Sequence, residues 1–242
     1  MLTMFNLFWD PTYVLIIIGM LLAMGASQYL NSTYRKYARI ASSTELTGEE
    51  VAKRILSANG IYDVLVVGVA GQLTDHYDPK NRTVNLSETV FHQRSIAAIA
   101  VAAHECGHTI QDNLGYVPLN VRSSLVPVAN IGANIAWPMF VIGFFINPMS
   151  TFGKIGQLLI SLAIIFYLAA LLFQFVTLPV ELNASSRALQ QLKQLQMLSE
   201  DEIHGAKSVL FAAALTYVAS AAAAALNFLR IILLSSQRRR NN

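Results

Sequence analysis

Four apolar segments, each long enough to cross a lipid bilayer as a helix, constrain the fold of this chain more than any other feature. About 20 apolar residues span the hydrocarbon core, where a helix satisfies its own backbone hydrogen bonds. Of all 242 residues, 54% are hydrophobic and 13% are charged, which is far from the composition of a soluble domain. We therefore predict a mainly α-helical, multi-pass protein of the cell membrane with three or four transmembrane helices. The segments are residues 11–30, 125–146, 155–178 and 206–234.

Basic residues beside the first apolar segment indicate how the chain crosses the membrane. Arg35, Lys36 and Arg39 come after that segment, whereas a cleaved signal peptide begins with its basic residues. The positive-inside rule then places the N-terminus outside and residues 31–124 in the cytoplasm.

The second and third apolar segments are predicted to form a transmembrane hairpin over residues 125–178. Pro127 and Pro138 are tolerated in a membrane helix but are expected to kink it. The tip, NPMSTFGK, is predicted to be an outside turn, so that the chain returns to the cytoplasmic side. Pro179 then suits the first turn of a new helix, or a kink at the membrane exit, and residues 179–205 are predicted to form a helix and linker.

The fourth apolar segment, 206–234, leaves two topologies open. It precedes a basic tail, 235–242, that contains Arg238, Arg239 and Arg240. A full crossing would leave these arginines outside, against the positive-inside rule. A hairpin or an interfacial helix would keep them in the cytoplasm. The length of the segment favours a crossing.

Residues 31–124 have the composition of a small soluble α+β domain. Thr47 and Glu50 form a capping box, and Gly60 is a plausible end for the helix that follows it. DVLVVGVAG, QLTDHYD and RTVNLSE are then predicted to be short strands, with a turn at 78–81 between the last two. The small sheet either offers an edge strand to an extended peptide or simply packs on the next helix.

The sequence IAAIAVAAHECGHTIQD, residues 96–112, carries the pattern H-E-x-x-H on a predicted helix. Residues four apart share a helix face, so His104 and His108 can bind one metal ion while Glu105 lies beside them. Two histidines and an adjacent glutamate at this spacing are typical of a hydrolytic zinc site. Cys106 points about 200° around the helix from His104 and is predicted to be a buried thiol.

A zinc ion with two histidine ligands on one helix needs a third protein ligand and an open position for water. Glu181, directly after the third apolar segment, is the best placed carboxylate. Ala184, Ser185 and Ser186 are small and would let this segment pack closely on another helix. The alternative is that Glu181 is an interfacial carboxylate that faces water.

Other polar residues near the motif are weaker candidates. Asp112, one turn beyond His108, is a candidate to accept a hydrogen bond from a ligand imidazole, although a solvated helix end is the simpler interpretation. His76 and His92 lie near a turn and a helix start, where a lone histidine is usually a surface group.

Two blocks, LTDHYDPKNRTVNLSETVFHQRSIAAIAVAAHECGHTIQ and LPVELNASSRAL, resemble the YugP-like neutral zinc metallopeptidase family of bacterial membrane proteins. More distantly, the layout is similar to membrane gluzincins of the HtpX type, whose third zinc ligand is the Glu of an E-x-x-A-D pattern. The resemblance implies that Glu181 is that ligand, within a zincin-like cytoplasmic domain built around the H-E-x-x-H helix. Ser185 stands where the pattern has Asp, so only a weaker hydrogen bond to a ligand histidine is expected there.

We therefore predict a membrane-embedded zinc endopeptidase with its active site on the cytoplasmic side. His104, His108 and Glu181 would hold one Zn²⁺, and Glu105 would act as the general base. Arg187 and His204 are candidates to stabilise the oxyanion that forms on the substrate.

Membrane or membrane-proximal proteins and peptides are the expected substrates. The formal net charge is only +3 and the basic residues collect beside apolar segments, which argues against nucleic acid as a partner. The main alternative is a non-catalytic membrane scaffold that retains a zinc site. A transporter is a weaker alternative, because the interiors of the first three apolar segments carry no ionisable residue. The oligomeric state does not follow from the sequence.

Overall fold

The computed structural model describes residues 10–146 and 149–240, and over these ranges the chain is mainly helical with one three-stranded sheet. Asn147 and Pro148, where the predicted hairpin turn begins, lie outside the described residues. The helices are α1 (Tyr13–Tyr37), α2 (Gly48–Ala58), α3 (Glu88–Phe91), α4 (Ile96–Asn113), α5 (Val117–Phe145), α6 (Gly153–Gln194) and α7 (Glu200–Arg240). The strands are β1 (Leu65–Val69), β2 (His76–Asp78) and β3 (Thr83–Ser87).

Three of these helices, α1, α6 and α7, are long and apolar enough to cross a membrane. Helix α5 has two parts, Val117–Gly132 and Asn134–Phe145, which are bent by 42° relative to each other. If the two parts are counted together, α5 is a fourth candidate span. Pro138 explains the position of this bend, since its ring crowds the carbonyl of the residue four positions earlier, Asn134. The predicted kink is confirmed, whereas Pro127 lies inside the first part of the helix.

The described residues divide into two compact units. We call residues 10–25, 121–177 and 217–240 the helical unit, and residues 26–120 and 178–216 the mixed unit. The sheet and helices α2 to α4 belong to the mixed unit, together with the C-terminal ends of α1 and α6 and the start of α7.

Glycine contacts in the helical unit show that α5 and α6 run antiparallel. Gly132 lies against Phe166, and Gly143 lies against the backbone of Gly156, so the residue numbers on the two helices change in opposite directions. This packing agrees with the predicted hairpin. Small residues allow the two backbones to approach closely, which favours association between membrane helices.

Helix α7 also packs antiparallel to α1 in the helical unit. Gly19 lies against Ala223, and further along Arg230 lies 3.4 Å from Asp10. Because α7 is one continuous helix from Glu200 to Arg240, the hairpin alternative for segment 206–234 is wrong.

Buried arginines of α7 obtain partners within the helical unit. The Arg230 guanidinium also lies over the rings of Tyr13 and Trp137. Arg238 donates hydrogen bonds of 2.6 Å to the carbonyls of Gly143 and Ile146, at the C-terminal end of α5. A helix C-terminus carries partial negative charge and carbonyls without intrahelical partners. The end of α5 therefore accommodates a basic residue of the tail.

Helix α6 corrects the prediction for Pro179. A new helix was one expected outcome, but α6 continues through Pro179 to Gln194. A proline inside a membrane-associated helix is tolerated when neighbouring groups satisfy the freed carbonyl. The third apolar segment and Glu181 therefore belong to one helix.

The mixed unit is built around α4. Its first residues, Ile96 to Ala100, are all buried, as their apolar character predicts. Helix α2 packs on α4 and begins with the predicted capping box, in which Thr47 and Glu50 each hydrogen-bond the backbone N–H of the other. Gly60 follows its end with a φ of 70°, in the left-handed region that glycine adopts readily.

The sheet has the order β1-β3-β2, with β1 parallel and β2 antiparallel to the central strand β3. The turn between β2 and β3 is confirmed, since the Asp78 carboxylate accepts hydrogen bonds from the backbone N–H groups of Lys80 and Asn81. The buried strand residues Val84 and Leu86 lie in the same core as α2 and α4.

Gly107 permits the close approach of α4 and α6 within the mixed unit. A Cβ atom at Gly107 would lie 2.4 Å from the carbonyl oxygen of Ala184. That distance is far inside van der Waals contact, and the obstructing atom is backbone. The absence of a side chain at Gly107 therefore sets the spacing of the two helices.

We predict that Gly107→Ala destabilises the protein by about 1–3 kcal/mol, because the two helices must separate to admit the methyl group. Thermal unfolding of the purified protein, followed by circular dichroism, should show a lower melting temperature. Gly25→Ala is the matched control, since nothing lies within 4 Å of a Cβ at that position. Equal melting temperatures for the two variants would contradict this role of Gly107.

Candidate metal centre

Helix α4 presents the two histidines of the H-E-x-x-H sequence on one face. His104 and His108 are one turn apart, and their ring centroids lie 4.8 Å from each other at an interplanar angle of 82°. The helix is capped at its start by Ser95, whose side chain accepts a hydrogen bond from the N–H of Ala98. The four-residue spacing therefore places both imidazoles on one face of a regular helix, one turn apart.

Helix α6 brings Glu181 to the two histidines. One oxygen, Oε2, lies 3.3 Å from Nε2 of His104 and 3.5 Å from Nε2 of His108. The side chain is only 2% exposed. One ligand atom from each of the three residues lies within 4.8 Å of the others. The structure thus brings together the three residues that the sequence analysis proposed as metal ligands.

The second nitrogen of each ring has its own polar partner. The Ser185 hydroxyl lies 3.1 Å from Nδ1 of His104. The Gln111 amide oxygen lies 3.0 Å from Nδ1 of His108, so it accepts a hydrogen bond from that nitrogen. These contacts orient both rings with Nε2 towards Glu181, as outer partners of metal-binding histidines generally do.

Gln111 is itself held in place by α6. Its amide nitrogen donates to the carbonyl of Val180 at 2.8 Å and to Oδ1 of Asn183 at 3.0 Å. The side chain is fully buried. Sequence reasoning did not propose Gln111. The available signal was its position three residues after His108, on the same helix face.

The electrostatics of the cluster favour a cation. Burial by itself lowers the pKa of His108, but the hydrogen bond to Glu181 and the charges of Glu105 and Glu181 together raise the pKa above its ordinary value. The same carboxylates that favour a proton here also favour a metal ion, which competes with protons for imidazole nitrogen.

The donor set fits zinc. Two imidazole nitrogens and one carboxylate oxygen form a known catalytic zinc set. Ligand atoms about 2.1 Å from a tetrahedral ion lie about 3.4 Å from each other, and the two distances to Oε2 are 3.3 and 3.5 Å. The residues present therefore match the chemistry that zinc requires, and the two distances to Glu181 match its spacing.

Glu105 lies beside the cluster but differs from Glu181 in its contacts. It is 7% exposed. In the ranges 10–146 and 149–240, its carboxylate has no hydrogen bond or ion pair within the protein. Cys106 points elsewhere, with its thiol 3.6 Å from the carbonyl of Ala52. Burial raises the pKa of that thiol, which makes it a poor metal ligand.

Asp112 contacts the sheet. Its carboxylate accepts hydrogen bonds from the Tyr77 hydroxyl at 2.7 Å and from Arg82 at 3.0 Å. Gln111, rather than Asp112, therefore contacts an imidazole of the cluster, and Asp112 joins the end of α4 to the β2–β3 turn.

The other polar residues proposed from the sequence lie outside the three-residue metal cluster. The Arg187 Nε donates to Oδ1 of Asn183 at 2.7 Å, which connects it through Asn183 to Gln111. His204 is exposed on α7. His76 and His92 are also exposed and are not members of the metal cluster.

Comparisons with known proteins found one matching family and one similar protein. The sequence profile of a family described as "Putative neutral zinc metallopeptidase" matches residues 12–236. "Putative membrane protease YugP" of Bacillus subtilis (strain 168) is 43% identical over 212 residues, which are 88% of this chain and 91% of the relative. No solved structure matches the chain. The profile match includes all three residues of the cluster and confirms the resemblance found in the sequence.

We predict that Gln111→Leu lowers zinc affinity about 10- to 100-fold, because His108 loses the acceptor that orients its ring. Competition against a chelator of known affinity would measure the change. Gln111→Glu keeps an acceptor oxygen and should remain closer to the wild type. Gln190→Leu, at an exposed position on α6, is the matched control. Equal affinities for Gln111→Leu and Gln190→Leu would show that Gln111 does not orient His108.

Proposed function

Because the chain belongs to the neutral zinc metallopeptidase family, we propose that it is a membrane-embedded zinc endopeptidase. The observation that carries this proposal is the position of Glu181 Oε2, at 3.3 and 3.5 Å from the two Nε2 atoms. The carboxylate of Glu105, which has no hydrogen bond or ion pair among the described residues, lies beside them. Candidate membrane-spanning helices and the similarity to a membrane protease support a membrane location.

In this proposal His104, His108 and Glu181 hold one zinc ion. Zinc, when bound, supplies a Lewis acid and lowers the pKa of a water molecule towards neutrality. Glu105 accepts the proton of the water that attacks the peptide carbonyl, and later delivers a proton to the leaving amine. Gln111 and Ser185 keep the imidazoles oriented throughout. Stabilisation of the oxyanion by Arg187 or His204 stays a prediction.

The composition of the cluster favours catalysis over the scaffold alternative. Structural zinc sites normally close with four protein ligands, whereas catalytic sites have three and keep one position open. The cluster found among the described residues has three members. A structural site also has no use for a buried carboxylate beside the metal, which Glu105 provides.

We predict that Glu105→Gln lowers the rate of peptide hydrolysis by about 10²- to 10⁴-fold, because the general base is lost. Zinc should stay bound, because the three proposed ligands remain. Activity of the purified protein on a fluorogenic peptide, together with zinc content by elemental analysis, would measure both effects. Glu181→Ala should give the contrasting result, with a loss of zinc as well as activity.

The matched control for this experiment is Glu49→Gln. Glu49 lies on α2 and, among the described residues, pairs with Lys53 alone at the surface, so its loss should leave hydrolysis unchanged. Full hydrolysis by Glu105→Gln would exclude the proposed mechanism. Unchanged zinc content in Glu181→Ala would exclude Glu181 as a ligand.

Membrane or membrane-proximal proteins are the substrates that the chain is best placed to reach. Glu181 follows the apolar segment 155–178 by three residues on the same helix, which is about 5 Å along a helix axis. We infer that the site lies near the bilayer surface, on the cytoplasmic side that the basic residues at the C-terminal end of α1 indicate.

We predict that an unstructured peptide linked to a transmembrane anchor is cleaved faster than the same peptide in solution, because the anchor raises its local concentration at the site. Both substrates would be compared with the enzyme in the same lipid nanodiscs, and cleavage would be followed by mass spectrometry. Equal rates for the two would argue against substrate selection by the membrane.

A further inference from the structure

A cavity separate from the metal cluster lies in the mixed unit at the C-terminal end of α1. Its volume is about 590 Å³. One wall is formed by residues of the last two turns of α1 and just after it, and the other includes Glu88, Thr89, Gln93 and Ser95. The Tyr34 hydroxyl joins the two walls, because it lies 3.3 Å from both the carbonyl and the hydroxyl oxygen of Thr89.

Two arginines line this cavity, and one carboxylate opposes them. Arg35 lies in the last turn of α1, and Arg39 lies two residues after its end. In the described part of the chain neither guanidinium has a hydrogen bond or an ion pair within the protein. Glu88 is the acidic residue of the lining. The two arginines and one carboxylate give the cavity a formal excess of one positive charge. The N–H groups of both guanidiniums are available to donate hydrogen bonds to a ligand.

Neutral hydrogen-bond donors complete the lining. The side-chain amides of Asn31, Gln72 and Gln93 line the cavity, and within residues 10–146 and 149–240 none of the three amides bonds to another part of the protein. Ser95 also lines it. The Ser95 oxygen accepts the helix-capping hydrogen bond from Ala98, so its own O–H group remains able to donate.

We propose that this cavity binds the phosphate group of an anionic phospholipid. The planar guanidinium of arginine matches phosphate oxygens with two parallel hydrogen bonds, and amides and hydroxyls add neutral donors. Phosphate in a lipid headgroup is favoured over phosphate in solution because α1 contains an 18-residue stretch that is apolar enough on average to lie in a bilayer. Basic clusters directly beside a transmembrane helix attract anionic headgroups in general, and the cavity supplies a specific place for one.

The experiment uses the full-length protein in nanodiscs that contain phosphatidylglycerol and phosphatidylcholine, with bound lipid counted by native mass spectrometry after extraction. The double variant Arg35→Gln/Arg39→Gln should retain phosphatidylglycerol about thirtyfold less well, because two basic residues are lost. Retention of phosphatidylcholine should not change. Glu88→Gln should retain phosphatidylglycerol better than the wild type, since it removes the opposing charge.

The matched control is Lys53→Gln/Arg54→Gln, which removes two positive charges from the exposed surface of α2. It should behave as the wild type. Arg35→Lys/Arg39→Lys keeps the charges but loses the planar donors, and should lie between the wild type and the glutamine variant. Circular dichroism would establish that each variant is folded.

Three outcomes would overturn the proposal. The first is equal loss of phosphatidylglycerol in the glutamine variant and the control, which would indicate general surface charge. The second is wild-type retention in a folded Arg35→Gln/Arg39→Gln protein. The third is calorimetric binding of inorganic phosphate that depends on the two arginines, in a protein that retains no phosphatidylglycerol, because the ligand would then be free phosphate.

Discussion

The close approach of α4 and α6 at Gly107 and Ala184 is the contact on which the metal cluster depends. His104 and Glu181 are 77 residues apart in sequence, yet a carboxylate side chain is short and must reach two imidazoles. It does so because Gly107, between the two histidines, has no side chain, and the backbone of α6 occupies that space. Small residues at a helix contact are thus a precondition for this site.

Helix α6 carries the third candidate ligand and also the groups that orient the two imidazoles. Within about two turns it contributes Glu181, the Ser185 hydroxyl that contacts His104, and the Val180 carbonyl and Asn183 amide that hold Gln111. All of these groups stand on regular helix. Sites built on helices hold their geometry better than sites on loops, so the cluster needs no mobile segment to assemble.

Local signals in the sequence predicted those parts of the structure that local interactions determine. The capping box at Thr47 and the two histidines one turn apart on α4 follow from spacing along one helix. Glu181 was also proposed, but from its position after an apolar segment and from resemblance to a family.

The hydrogen-bond partner of His108 depended on tertiary packing and was missed. Gln111 and Asp112 are neighbours on α4, yet they point about 100° apart around the helix. One meets α6 and the other meets Arg82 beside the sheet. The order in which helices and sheet surround α4 decides which of the two contacts a ligand, and no local pattern contains that order. The course of the chain at Pro179 also depends on tertiary packing, because the surroundings of a proline determine whether a helix continues through it.

The neutral character of the orienting groups has a physical consequence for the cluster. Two carboxylates, those of Glu105 and Glu181, already lie at or beside the two imidazoles. An aspartate at position 185, as in the E-x-x-A-D pattern, would place a third carboxylate beside residues that are largely buried, where the desolvation of a charge is costly. Ser185 and Gln111 orient the imidazoles without that charge. A neutral acceptor raises the basicity of an imidazole less than a carboxylate does, so the proposed zinc site would depend more on the geometry that the contact at Gly107 sets.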